Sequence, residues 1–308
     1  MAILSVMTTM TMSIKGRLLV VQGPTGVGKT AVGITLAQHY GIPVVSADSR
    51  QIYREMTIGT AVPSPEELSA ATHYFIQHKS IHESFSAGDY EREGLELLDN
   101  LFGKYSQVLL VGGSGLYVDA LLNGFDDLPE SDPTLRTELS ALPMESLLAE
   151  LQERDPDYYH TVDRNNPQRI VRAVEVCRLS GRPYSELRSG QTKTRPFNTL
   201  KIGINLPRET LYDRINRRVD QMMEEGLLHE AEQLYPYRHL SALQTVGYRE
   251  LFEYFAGHIS LPEAVELIKR NTRHYAKRQL TWLRRDTDIR WFEPSDAKNI
   301  IACIDEIR

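Results

Sequence analysis

Cysteine is scarce in this chain: 308 residues hold only Cys177 and Cys303, far apart and in no metal-ligand spacing. That excludes a disulfide framework or a zinc site as an organising device and suits a reducing cytoplasm. Long apolar runs are also missing, and nothing approaches the roughly 18 residues of a membrane span, so no membrane association is expected. The opening Met1 to Gly16 has Lys15 as its only charge and lacks the basic start and apolar core of a signal peptide. It reads as a flexible extension.

What is present first is Gly23-Pro24-Thr25-Gly26-Val27-Gly28-Lys29-Thr30, which fits G-x-x-x-x-G-K-[ST]. It follows the apolar run Leu18 to Val21 and precedes a helical stretch from Ala31, the strand–turn–helix context in which that pattern has meaning. Glycines let successive N–H groups point at phosphate oxygens, and the helix N-terminus adds partial positive charge. This is the cradle that binds ATP and other nucleotide phosphates; Lys29 would neutralise phosphate and the Thr30 hydroxyl would hold Mg²⁺.

A second short strand, Pro43 to Ala47, ends at Asp48-Ser49-Arg50-Gln51, and a third, Gln107 to Val111, runs into Gly112-Gly113-Ser114-Gly115. Ligands of open α/β sheets bind beyond the carboxyl ends of the strands, which puts Asp48 in the crevice of the phosphate loop. Most P-loop hydrolases carry an acid at such a strand end to help hold Mg²⁺. Here Gly112 stands in that place, which favours a transferase over a motor or switch.

Helix starts are expected at Ser64-Pro65 and at Ser86, with Asp89 either a helix-start carboxylate or a group near the site. Leu121 to about Thr194 is rich in Glu, Leu and Arg with almost no strand signal, and Leu147, Leu148 and Leu151 show helical spacing. A strand returns at Leu200 to Leu206, followed by a helix on which Arg214 and Arg218 share one face, either as a solvated surface or closing over phosphates. Helices then lead to an apolar end at Trp291-Phe292. The fold expected is α/β, a P-loop parallel sheet flanked by helices. Its core spans 17–120 and 196–308, a helical insertion spans 121–195, and 1–16 precede them.

The net charge of −6 hides an uneven distribution. Asp126 to Asp157 carries ten acidic residues against Arg136 and Arg154, whereas Arg164 to Arg195 carries seven Arg and one Lys against two Glu. Lys269 to Arg285 holds seven basic residues and no acid, which points to a localised polyanion site. In that helix Ile268, Tyr275, Ala276, Gln279, Trp282 and Leu283 are expected to face inward, and Arg273, Lys277 and Arg284 outward.

These pieces resemble the bacterial tRNA dimethylallyltransferase (IPP transferase) family. The resemblance rests on Gly23 to Thr30, Ser46 to Tyr53, Ile58 to Ala61, Phe85 to Tyr90, Val111 to Tyr117, Asn166 to Arg172, Val246 to Glu250 and Tyr275 to Trp282, in order over about residues 17 to 292. The family pattern has Thr where Ser114 stands, and a hydroxyl is kept. The zinc finger of eukaryotic relatives has no counterpart in Trp291 to Arg308.

The resemblance implies transfer of a dimethylallyl group from dimethylallyl diphosphate to N6 of adenosine 37 in the tRNA anticodon loop, with Mg²⁺ and release of pyrophosphate. It implies Asp48 as general base, Thr25 beside donor and base, and Arg214 on the diphosphate. Arg218 and Arg208 are alternatives for that last contact. It implies contact of the tRNA anticodon stem-loop with Asp48, Ser49, Arg50, Gln51, Ser114 and Arg136. It extends that contact to Gln168, Arg169, Ile170, Val171 and Arg172 of the insertion, and to Gln244, Thr245, Val246, Gly247, Tyr248 and Arg249. A cytoplasmic monomer is the expected form. Two other functions fit less of the chain: an adenylate isopentenyltransferase acting on free nucleotide, for which an Arg-rich insertion has no use, and a non-catalytic, nucleotide-gated RNA-binding module.

Overall fold

A computed structural model describes residues 13–188 and 190–307. Most of the 1–16 extension therefore lies outside the described residues. The chain divides into two compact units, one formed by residues up to 121 together with 195 onward, the other by 122–194.

The larger unit is built on one parallel sheet. Its strands are β1 (Gly16–Gln22), β2 (Val44–Ala47), β3 (His73–Tyr74), β4 (Gln107–Gly112), β5 (Phe197–Ile204) and β6 (Arg290–Phe292), in the spatial order β3-β2-β4-β1-β5-β6. β1 lies inside the sheet between β4 and β5, and Leu18 to Val21 are wholly buried. Helices cover both faces of such a sheet, so its central strand is an unbroken apolar run rather than an alternating one. The Lys29–Tyr40 helix packs Val32, Leu36 and Ala37 into one core with Leu19, Val21, Leu109, Ile202 and Ile204. A second core gathers Ile52, Met56, Leu227, Leu243, Tyr248, Leu251 and Ile268 around the later helices.

Four features depart from expectation. The strand read at 200–206 runs from Phe197 to Ile204, while Trp291-Phe292 is no loose end but part of β6, parallel to β5. A last helix, Ala297–Glu306, buries Ile300, Cys303 and Ile304. Strand β3 is only two residues long, too short to show periodicity. The predicted caps hold: Ser64 and Ser86 each close a capping box, the second with Asp89, which also pairs with Arg92. Asp89 is thus a helix-start carboxylate.

The smaller unit has helices Pro133–Ser140, Met144–Arg154, Pro156–Thr161, Pro167–Ser180 and Tyr184–Leu187, and no strand among its described residues. Asp132, Asp155 and Asn166 cap three of them ahead of a first-turn proline. Its core is Leu139, Leu147, Leu151, Ile170 and Val174. Fully buried Glu175 is satisfied by Ser131 Oγ (2.6 Å), the Asp132 N–H (3.0 Å) and Arg172 Nη1 (2.9 Å).

In the sheet, Ala47 of β2 stands opposite Gly112 of β4, and the two backbones crowd. A Cβ at Gly112 would lie 2.2 Å from the Ala47 carbonyl oxygen and 2.4 Å from its carbon. Only glycine fits without moving the strands, so the missing strand-end acid has a steric cause. Gly112→Ala should destabilise the protein by about 1–3 kcal/mol, the usual range for overpacking. Denaturant unfolding measures it, and an unchanged midpoint would show that the strands separate freely.

Candidate active site

The carboxyl ends of β1, β2 and β4 open into a cleft of about 940 Å³. Thr25, Gly26, Gly28, Lys29 and Thr30 line it together with Asp48, Gln51, the loop from Thr57 to Val62, and Arg214, Arg218, Tyr275 and Gln279. The structure therefore gathers the phosphate loop, Asp48 and the paired arginines in one place.

The loop gets its shape from two left-handed glycines, Gly26 (φ 78°) and Gly28 (φ 104°), positions that strain any other residue. Lys29 Nζ donates to the Pro24 carbonyl at 2.9 Å. Burial in the cleft pulls the Lys29 pKa down to about 8; Asp48 opposes that shift and Arg218 adds to it. The Thr30 hydroxyl is half-buried and makes no hydrogen bond among the described residues. Nor do the described residues contain a cluster of three or more His, Cys, Asp or Glu able to hold a metal. The Thr30 hydroxyl fits the role of the phosphate-loop ligand to a magnesium ion completed by a ligand's phosphate oxygens and water.

Asp48 is fixed by an Asx turn. Its Oδ1 accepts from the N–H groups of Arg50 (2.9 Å) and Gln51 (3.4 Å), while Oδ2 accepts no hydrogen bond among the described residues. One oxygen orients the carboxylate and the other is available to a ligand. Beside it, Ser114 Oγ accepts from the Ser49 N–H at 2.9 Å and lies 3.1 Å from Ser49 Oγ.

The arginines separate by role. Arg214 Nη1 donates to the Val27 carbonyl at 3.2 Å, against the phosphate loop. Arg217 also lines the cleft but is paired with Asp213. Arg218 has no hydrogen bond or ion pair among the described residues, and burial lowers its pKa despite Asp48, Glu67 and Glu225 nearby. A half-buried guanidinium without a hydrogen-bond partner suits an anion. Arg208 instead lies over the Tyr212 ring.

Several residues expected to touch RNA are engaged in holding walls. Arg50 Nη1 donates to the carbonyls of Ser241 (3.1 Å) and Ala242 (2.9 Å), and Gln51 Nε2 to those of Thr60 (3.2 Å) and Ala61 (2.8 Å). Gln244 Nε2 donates to the Arg238 carbonyl, Val246 packs against the second core, Tyr248 is wholly buried, and Gly247 is a left-handed helix start. Thr245 is half-buried and Arg249 exposed. In the smaller unit Gln168 and Arg169 are exposed, but Ile170 and Val171 belong to its core, so their side chains are not available to a ligand. Arg172 is tied to Glu175 and to the Pro129 carbonyl (2.7 Å), and Arg136 Nη1 to Ser131 Oγ.

Two residues that hold the site escaped the sequence reading. Gln279 Oε1 accepts the Thr25 N–H and its Nε2 donates to the Gly113 carbonyl, both at 2.8 Å, so one buried amide joins the phosphate loop to the β4 turn. Its signal was a polar residue on an apolar helix face. Glu230 accepts from the N–H groups of Thr57, Ile58 and Gly59 and from the Tyr248 hydroxyl, fastening the loop that forms one cleft wall. No local pattern announces that contact. In the same helix as Gln279, the expected inward set is corrected: Tyr275 and Trp282 are 37% and 40% exposed, whereas Arg273 is half-buried and bonded to Asn216.

Known proteins resemble this arrangement over almost its whole length. A family model described as IPP transferase matches residues 51–286. The chain is 52% identical over 294 residues to a tRNA dimethylallyltransferase of Flavobacterium johnsoniae, covering 92% of this chain and 95% of that one. It is 48% identical over 288 residues to tRNA dimethylallyltransferase 1 of Bacteroides thetaiotaomicron, covering 92% and 94%. Among solved structures, the full-length tRNA isopentenylpyrophosphate transferase of Bacillus halodurans shares 37% identity and a TM-score of 0.71, covering 94% of this chain and 96% of that one. A eukaryotic dimethylallyltransferase acting on tRNA shares 26% identity and a TM-score of 0.78, covering 92% and 75%. The chain belongs to the IPP transferase family.

Proposed function

We propose that this protein is a tRNA dimethylallyltransferase that moves the dimethylallyl group of dimethylallyl diphosphate onto N6 of adenosine 37 in the anticodon loop. The observation that carries the reading is Asp48: its carboxylate is held through one oxygen, presents the other, and lines the cleft into which the phosphate loop opens. The donor's diphosphate lies on the loop amides, Lys29, Arg214 and Arg218. As N6 bonds to the allylic carbon, the C–O bond to the diphosphate breaks, its electron pair leaves with pyrophosphate, and the N6 proton passes to Asp48 Oδ2. Thr25 lies between donor and base. The Thr30 hydroxyl would hold a magnesium ion, which would supply further neutralisation of the leaving group. The reacting amine sits inside an RNA loop, so the base must be turned out into the cleft. With Gly112 at the strand end, no carboxylate stands there to assist hydrolysis of a nucleotide.

The smaller unit meets the anticodon stem-loop through Gln168 and Arg169, its exposed pair at the start of the Pro167–Ser180 helix. Arg172 contributes there by holding Glu175 in place. The enzyme acts as a cytoplasmic monomer.

Incubation with labelled dimethylallyl diphosphate, Mg²⁺ and either unmodified tRNA or AMP should label only the tRNA, and Asp48→Asn should lose at least about 100-fold in transfer rate, as for loss of a general base. Tight tRNA binding should persist in that variant. Labelling of AMP alone contradicts the acceptor, and near wild-type transfer by Asp48→Asn removes it as the base.

A pH dependence follows from Lys29. Its ammonium loses its proton above about pH 8 in the free protein, and a bound polyanion raises that pKa. Pyrophosphate binding therefore takes up a proton above pH 8, and affinity falls as pH rises, by up to about tenfold per unit. Titration calorimetry from pH 7 to 9.5 should show this fall relative to Lys29→Met. Parallel curves for the two proteins would contradict it.

Arg169→Ala should weaken tRNA binding and reduce the slope of log affinity against log salt by about 1, while Arg172→Ala should mainly lower the stability of its unit. An unchanged slope in Arg169→Ala would take that helix start out of the interface.

A further inference from the structure

The 57–62 loop lines the cleft and is fastened from both ends. Glu230 Oε2 accepts the N–H groups of Thr57 (2.9 Å) and Ile58 (2.8 Å), and Oε1 accepts that of Gly59 (2.9 Å) and the Tyr248 hydroxyl (2.7 Å). Gln51 Nε2 holds the Thr60 and Ala61 carbonyls. Within the loop, the Ala61 N–H donates to the Ile58 carbonyl (2.9 Å) and the Val62 N–H to that of Thr57 (3.1 Å). A Cβ at Gly59 would lie 2.6 Å from both Cζ and the hydroxyl oxygen of Tyr248, so the loop rests directly on that buried ring.

This fastening keeps Ala61 in the left-handed region (φ 51°), which a residue with a Cβ holds only where its surroundings impose it. It also engages the backbone polar groups named above, so the loop offers the cleft its side chains instead. Those of Ile58, Ala61 and Val62 are apolar. With Met222 and Val111 they form the apolar part of a cleft that is otherwise largely polar. A diphosphate donor needs such a surface for its hydrocarbon. With the diphosphate on the phosphate loop and the accepting nitrogen at Asp48, that hydrocarbon lies beside Gln51, whose N–H reaches Asp48 and whose side chain holds the 57–62 loop.

We propose that Glu230 is a positioning residue for donor selection: by fixing the 57–62 loop it sets the depth of the apolar surface, so that a five-carbon chain fits and a ten-carbon chain is refused. This rests on the transferase reading above and deepens it. A wall held at every turn cannot retreat to admit extra methylenes, whereas a loosened one can.

The test is internal competition. Wild type and variants receive unmodified tRNA, Mg²⁺ and equal concentrations of dimethylallyl and geranyl diphosphates, and the ratio of the two modified adenosines is read by mass. Both donors meet the same enzyme molecules, so the ratio does not depend on how much of a variant is folded. Wild type should use the ten-carbon donor at less than about one hundredth of the efficiency of the five-carbon one. Glu230→Gln keeps the shape but places an N–H group where an acceptor is needed, and should raise the ratio by at least about tenfold. Ile58→Ala, which lowers the wall without touching its fastening, should raise it as well. An unchanged ratio in either variant overturns the proposal, as does a wild-type ratio near one. Calorimetric binding of the two diphosphates needs no acceptor. Were the same shift found there in a protein that alkylates no tRNA, the role of Glu230 would stand and the tRNA reading would fall; no shift by either method overturns the proposal.

Discussion

The site depends on how closely β2 and β4 approach at their carboxyl ends. Ala47 and Gly112 stand so near that no side chain fits at Gly112, and the crowding continues past the strands. The Ser114 N–H donates to the Ala47 carbonyl at 3.1 Å, and the Ser114 hydroxyl meets the Ser49 N–H. The two strand-end turns are thereby locked together, with Asp48 on one side of the seam. Across it, Gln279 ties the Gly113 carbonyl to the Thr25 N–H, so that the phosphate loop is registered against the same turn. The backbone contact thus excludes a side chain at the strand end, and Gln279 holds the phosphate loop against the turn beside Asp48.

Around that seam the walls are fastened by side chains that reach backbone groups. Gln51 and Glu230 each make two or more such bonds with the Thr57 to Val62 loop that lines the cleft, and Arg50 holds the Ser241 and Ala242 carbonyls. On the phosphate-loop side, Arg218 and the Thr30 hydroxyl have no hydrogen-bond partner among the described residues, and Lys29, which donates to the Pro24 carbonyl, has its proton loosened by burial. Such groups are costly in the empty protein and favourable once a polyanion enters. Preorganisation of this kind favours a leaving group that gains charge as its bond breaks.

Much of this was legible in the sequence, and the physical reason differs by residue. The phosphate loop is a local motif, so its glycines and Lys29 were readable from spacing alone. Asp48 was readable because strand ends converge in an open parallel sheet. Helix caps at Ser64 and Ser86 are equally local. Contacts between distant residues were not legible: nothing near Glu230 signals that its carboxylate collects three amides more than 170 residues away. A motif also does not say which of its side chains face a ligand. Arg50, Gln51, Ile170, Val171 and Arg172 sit in the family's stretches, yet they hold or fill the structure. Trp282 misled in the opposite direction, since aromatic spacing on a helix reads as core unless the neighbouring turn, here at Gly115, is known to occupy that side.

The central claim is that the phosphate loop grips a pyrophosphate leaving group and does no nucleotide chemistry. It is tested most directly by following the phosphorus products in one reaction containing unmodified tRNA, dimethylallyl diphosphate, Mg²⁺ and ATP. One intact pyrophosphate should be released per modified adenosine, with no ADP or AMP formed. ATP cleavage coupled to modification, or modification without stoichiometric pyrophosphate, would contradict it.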